Sequence, residues 1–216
     1  MNKFYNYIFL LFLFVFVGCY EDDSQVIESR DALHRSSVLT PLIKSITLHN
    51  ANFDDHIDNT SCFSLVFPYE VNINSNRRTI SSIQDLNSID ENDQVQILFP
   101  ISIVFFDYTQ HKVNTTSELS LLTNSCEEKF DIEHNPCLNF DFPIVIKEFN
   151  ELDGTFETLN LISNEELFQY VDNLHDSDVY EIDYPILLLD SNSDGHVINS
   201  NSEFEEAFEA SLSGCQ

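Results

Sequence analysis

The residues best suited to chemistry in this chain are acids, and one run of them has the spacing of metal ligands. Asp190-Ser-Asn192-Ser-Asp194-Gly195-His196-Val197 sets oxygens at the first, third and fifth places of a loop, glycine at the sixth and an apolar residue at the eighth. That is the opening of an EF-hand-type calcium loop, where hard oxygens wrap the ion and glycine makes the sharp turn. The twelfth place holds Asn201 instead of a bidentate glutamate, and Glu203 comes two residues later. Ile186 to Leu189 before the loop reads as a strand, and Asn, Asp, Ser and Gly are turn formers in any case. A plain hairpin turn is therefore the first expectation. Calcium at Asp190, Asn192 and Asp194 is the alternative, and no other cofactor is expected.

A second acidic run, Phe53-Asp54-Asp55-His56-Ile57-Asp58, sets a histidine among three carboxylates. Its expected state is a solvated loop, with a metal held by His56 and Asp54, Asp55 and Asp58 as the alternative. The remaining histidines are scattered, with no HExxH pair. There is no GxSxG nucleophile turn, and four glycines in all leave no glycine-rich phosphate cradle. With 37 acidic residues, carboxylate pairs arise by chance, and none stands out as an acid–base couple. No catalytic residue is expected, and the chain reads as a non-enzyme.

Composition narrows the partners. The formal net charge is −28, a field that repels nucleic acid and favours cations and basic partners. Nineteen Phe and a hydrophobic share of 43% can fill a core, so the chain reads as globular. Five cysteines are present. Without CxxC-type pairs for zinc, Cys62, Cys126, Cys137 and Cys215 read as two disulfides in an oxidising compartment.

The N-terminus explains that compartment. Lys3 precedes the apolar run Ile8 to Val17, then Gly18 and Cys19, and then the acidic Tyr20-Glu-Asp-Asp23. This is a secretory signal layout, and the run is short for a bilayer span. The small residue before Cys19 resembles a bacterial lipobox, with Phe16 and Val17 in place of its more usual residues. The resemblance implies lipidation of Cys19, with two or three acyl chains for stable anchoring. The acidic run after it resembles a surface-export signal of Bacteroidetes lipoproteins. The expected place is the outer membrane, surface-exposed, with a periplasm-facing orientation as the alternative.

The elements that must carry these residues repeat. Phe67-Pro68, Phe99-Pro100, Phe142-Pro143 and Tyr184-Pro185 each sit inside an apolar, strand-like stretch. Proline lacks a ladder donor, so each strand should have an edge or a bulge there. Each pair is followed by a turn, a strand and a helix start. Ser82–Asp85, Thr115–Glu118, Ser163–Glu166 and Ser200–Glu203 all have capping-box spacing. The fold class expected is α+β: four tandem ββα units with helices packed on antiparallel sheet. Cys62 and Cys137 open units one and three, and Cys126 and Cys215 close units two and four. The expected pairing is thus Cys62–Cys126 and Cys137–Cys215, in two duplicated, disulfide-closed halves, 62–126 and 137–215. The rival pairing is Cys126–Cys137 with Cys62–Cys215. Ahead of them lie a signal peptide (1–18), a flexible acidic tether (19–37), and a short helix and loop (38–61), with Thr40-Pro41 as helix cap and first residue.

Leu39-Thr-Pro-Leu-Ile43, the run Phe53 to Asp58 leading into Ser61-Cys62-Phe63-Ser64, and the Phe-Pro repeats together resemble a family of flavobacterial (Bacteroidetes) lipoproteins. The resemblance covers nearly the whole mature chain. It implies a similar repeat architecture and outer-membrane attachment, and it supplies no activity. The function expected is a lipid-anchored binding or adhesion module for an envelope or extracellular protein or glycan. The alternatives are a structural or assembly subunit of the envelope and, less favoured, a cell-surface hydrolase.

Overall fold

The computed structural model describes residues 31–90, 92–125, 134–150 and 154–214. The signal peptide, Cys19, most of the expected tether, Cys126 and Cys215 lie outside the described residues.

After helix α1 (Leu39–Thr47), a 3-10 turn (Asn52–Asp54) leads into the short α2 (Asp55–Asp58). Four segments follow. The first holds β1 (Phe63–Leu65), β2 (Tyr69–Ile73), β3 (Asn76–Ile80) and α3 (Ile83–Leu86). The second holds β4 (Val95–Leu98), β5 (Ile101–Phe105), β6 (Gln110–Val113) and α4 (Thr116–Ser125). The third holds β7 (Leu138–Phe140), β8 (Ile144–Asn150), β9 (Thr155–Leu161) and α5 (Asn164–Asp172), and the last β10 (Tyr180–Ile182), β11 (Ile186–Asp190), β12 (Gly195–Ile198) and α6 (Asn201–Gly214).

The expectation of four ββα units is corrected by the sheets. These are four three-stranded antiparallel sheets, ordered β3-β2-β4, β1-β5-β6, β10-β8-β9 and β12-β11-β7. No sheet is built from one segment alone. The stretch that read as a single strand around each aromatic-Pro pair is two strands, before and after the proline, and they enter different sheets. Thus β1 pairs with β5 of the next segment, Phe63 opposite Phe105, while β4 pairs back onto β2, Val71 opposite Ile97. The later segments make the same reciprocal exchange, β7 with β11 and β10 with β8. A proline without an N–H cannot continue the ladder, so the chain leaves one sheet there and joins another. All four aromatic-Pro bonds are cis.

The disulfide framework is corrected as well. No disulfide joins two described residues. Cys62 and Cys137 are not free thiols: each is disulfide-bonded, and Cys126 and Cys215, the partners expected for them, lie outside the described residues. Among the described residues, the exchange of β-strands joins the two segments of each half.

The caps form with one change of partner. Ser82, Thr115, Ser163 and Ser200 accept from the backbone N–H three residues on, at 3.2, 3.2, 3.2 and 3.3 Å. The acid at that third position accepts from the N–H of the residue before the hydroxyl: Ser81, Asn114, Ile162 and Asn199. Two donors without helical partners are satisfied at each helix start.

Two cores result. One gathers Phe63, Leu65, Val71, Ile80, Leu86, Ile103 and Val113. The other gathers Phe140, Ile144, Ile146, Leu167, Tyr180, Leu188 and Phe204, together with Leu39, Ile43 and Ile46 of α1. Thr40 does not cap α1. The helix begins one residue earlier, and Pro41 falls in its first turn, where a missing N–H costs nothing. The Thr40 hydroxyl instead donates to the His34 carbonyl at 2.8 Å and lies 3.0 Å from the buried Tyr180 hydroxyl. Leu33 is buried and exchanges two backbone bonds with Tyr180. Residues 31–37 are therefore docked on the body and do not extend the tether. Around α1 the halves meet: Tyr108 donates to the Thr47 carbonyl at 2.8 Å, and the Asn135 N–H donates to the Ser45 carbonyl at 3.0 Å.

Candidate functional site

The segment expected to be a solvated acidic loop is the most unusual chemical environment in the fold. The 3-10 turn and α2 place Phe53 and Ile57 on one side, four residues apart, and Asp54 and Asp58 at the same interval. Asn59, left-handed at φ 59°, ends α2 with its N–H on the Asp55 carbonyl at 2.9 Å. Asparagine accepts that backbone conformation more readily than most residues. The segment packs on β1 and β4.

Asp54 is fully buried and Asp58 is 7% exposed. One oxygen of each is used locally: Asp54 Oδ2 accepts from the Leu65 N–H at 2.7 Å, and Asp58 Oδ1 from the Thr60 N–H at 3.1 Å. Asp55 Oδ2 accepts from the Ser61 hydroxyl at 2.6 Å. The second oxygen of each carboxyl is buried without a hydrogen-bond partner among the described residues, as is the Tyr69 hydroxyl of β2. No Lys or Arg pairs with these carboxyls among the described residues. Burial raises the Asp54 carboxyl to about 7, against the pull of the Leu65 N–H, with Asp55 adding to the rise. Burial, then the charge of Asp54, raises Asp58 to about 8. Burial and the same two carboxyls hold the Tyr69 phenol above its usual range. The arrangement favours the protonated carboxyls, because charge here is neither solvated nor paired.

A serine–histidine contact lies beside it. His49 Nε2 is 2.7 Å from Ser64 Oγ, and the imidazole meets Phe53 and Tyr108 edge-on. Burial, then the nearby His134, lowers the His49 pKa and favours the neutral ring. Ser64 is 1% exposed, enclosed in β1 between Phe63 and Leu65. A nucleophile needs an approach path as well as a base, and Ser64 has none. A groove of about 500 Å³ runs along β4 and α4, with Asp58 on its wall near Val95, Phe99, Leu119 and Thr123.

The expected calcium residues form a hairpin turn between β11 and β12. Asp190 Oδ1 accepts from the Asn192 and Asp194 N–H groups at 2.8 and 2.9 Å, and Ser193 takes φ 65°. Those bonds, the Asp194 one foremost, hold the Asp190 carboxyl below its usual range. Asn201, in the twelfth place, is turned away: it accepts from the Tyr184 hydroxyl at 2.7 Å and donates to the Asp31 carbonyl. Glu203 caps α6. Among the described residues, no group of three or more His, Cys, Asp or Glu is placed to hold a metal ion.

Sequence reasoning placed Asp54 and Asp58 in a solvated loop, whereas the structure buries both. The available signal was the four-residue interval shared by Phe53 and Ile57, which marks a helical turn with a buried side. No protein-family model, curated protein or solved structure matches the chain.

Proposed function

We propose that the chain is a lipid-anchored envelope protein of the flavobacterial type, held through Cys19, that works by binding and not by catalysis. One observation carries this reading. The groups with reactive potential, Ser64 and Asp54, are 1% and 0% exposed, whereas the third strand of every segment turns most of its side chains to solvent. Substrate cannot reach the former, and a partner can reach the latter. The signal layout and the charge of −28 support an exported protein whose ligands are envelope or extracellular proteins or glycans, not nucleic acid.

Protease shaving of intact cells expressing a C-terminally tagged chain tests the placement. Loss of the tag from untreated cells, abolished by Cys19→Ala, is the expected result. Protection until the outer membrane is opened would sink surface display and favour a periplasmic partner.

The binding reading includes no resident calcium. Asp190 Oδ1 is held by two backbone amides of the turn, and Oδ2 faces the His196 imidazole at 3.4 Å, so the carboxyl is already engaged in closing the hairpin. Millimolar calcium is expected to leave the melting temperature unchanged, and a rise of several degrees that Asp190→Ala abolishes would overturn this.

A further inference from the structure

The sheet β10-β8-β9 ends on β9, which is paired on one side only among the described residues. At seven residues β9 is longer than the other outer third strands, and Thr155 to Thr158 are all exposed. Free strand edges invite another strand, and proteins usually blunt them with basic residues, proline or short length. The other outer third strands carry such features: Arg77 and Arg78 on β3, His111 and Lys112 on β6, and only four residues in β12. Thr-Phe-Glu-Thr-Leu-Asn-Leu in β9 contains no Lys, Arg or Pro.

The two faces beside this edge differ. On one, Glu157 stands directly opposite Glu148 of β8, and both line a groove of about 330 Å³ with Asp178. Like charges in cross-strand register are unfavourable, and Asp178 and Glu157 both raise the Glu148 pKa, after burial. On the other face, Phe156 packs on Phe149 with ring centroids 5.4 Å apart, and Phe156 is 38% exposed.

We propose that the outer edge of β9 is a docking site for an extended basic segment of a partner polypeptide, which adds to the sheet as a fourth strand. Main-chain bonds to β9 supply affinity, as in other strand additions. Alternation of side chains supplies selectivity: cationic residues on one side reach Glu157, Glu148 and Asp178, and apolar residues on the other reach Phe156. Charge complementarity identifies this occupant: the three carboxyls stand together with no paired Lys or Arg among the described residues, Asp178 meeting the exposed His175 imidazole at 3.2 Å and Glu157 accepting from the Asn150 amide at 3.3 Å. The inference rests on the binding reading above and names a partner class for it.

The test uses the intact chain in mild detergent and a labelled heptapeptide of alternating lysine and valine, followed by fluorescence anisotropy. Saturable binding is expected, weakened about tenfold by Glu148→Gln with Glu157→Gln, in line with the loss of close charge pairs. Two further peptides carry N-methyl groups on alternate amides, in the two possible phases. One phase should bind like the parent and the other should lose binding, since only one set of amides faces β9. Equal binding by both would reduce the effect to charge attraction and overturn the proposal. So would absence of saturable binding, or a dimer in sedimentation that Glu157→Lys dissolves, which would assign the edge to a second copy of this chain. Failure of the peptide with successful surface shaving would remove this site and leave the binding reading standing.

Discussion

Raising the pH from about 4 to about 8 will lower the stability of the folded body, and Asp54 and Asp58 will account for a measurable part of the loss. Both carboxyls sit above their ordinary value of 3.8 in the fold, at about 7 and about 8. Between the unfolded and folded values, the folded state holds more protons than the unfolded chain. Stability from these groups is therefore complete below the unfolded value and declines as pH rises through the folded ones. Each tenfold gain in a carboxyl's proton affinity on folding corresponds to about 1.4 kcal/mol. Because the two carboxyls titrate as a coupled pair, their joint contribution is several kcal/mol and less than the sum of two independent groups. The groups around them are Asp55, Tyr69 of β2 and, across β1, His49 on Ser64. The short strands β1 (Phe-Ser-Leu) and β4 (Val-Gln-Ile-Leu) add no charge.

Urea unfolding of the wild type, Asp54→Asn and Asp58→Asn at several pH values measures this. The general repulsion expected from a net charge of −28 also grows with pH, so the informative quantity is the slope difference between wild type and variant. Either Asn variant should flatten the slope, since asparagine keeps an acceptor for the Leu65 or Thr60 N–H without a charge to bury. Parallel slopes in all three proteins would show that the carboxyls are solvated in the folded state.

The second large effect lies at Tyr180. Its side chain is fully buried in the second core, its ring meets Tyr170 edge-on at 5.6 Å, and its backbone holds Leu33. Tyr180→Ala is expected to cost about 3–5 kcal/mol, by analogy with other large aromatic truncations in cores. It should also release residues 31–37, read as faster amide exchange at Leu33. Tyr180→Phe keeps the packing and loses only the contact with Thr40, a cost of about 1 kcal/mol. The Thr40 hydroxyl still has the His34 carbonyl. An Ala variant no weaker than the Phe variant would mean that the cavity collapses around the missing ring.

Much of the local structure was readable in the chain. The capping spacing at Ser82, Thr115, Ser163 and Ser200 places four helix starts, because a hydroxyl and an acid at that interval satisfy amides that helix geometry leaves open. Alternating apolar residues after each proline, as in Tyr69–Ile73 and Ile101–Phe105, mark central strands because side chains alternate across a pleated ladder. The Asp190 turn was readable for the same local reason: its carboxylate bonds amides two and four residues on.

What the sequence by itself determined, then, is where helices begin, where strands run and where turns fall, since each depends on interactions a few residues apart. Only the tertiary structure decided which strands pair. Val95–Leu98 and Phe63–Leu65 look alike as apolar segments before a Phe-Pro, yet each joins the sheet of the other segment. Nothing local distinguishes that exchange from a strand staying with its own unit, because pairing energy comes from the partner surface. The same reason hid Asp54 and Asp58. Their acidity is local and points to water, while their burial is imposed by β1 and β4 closing over Phe53 and Ile57.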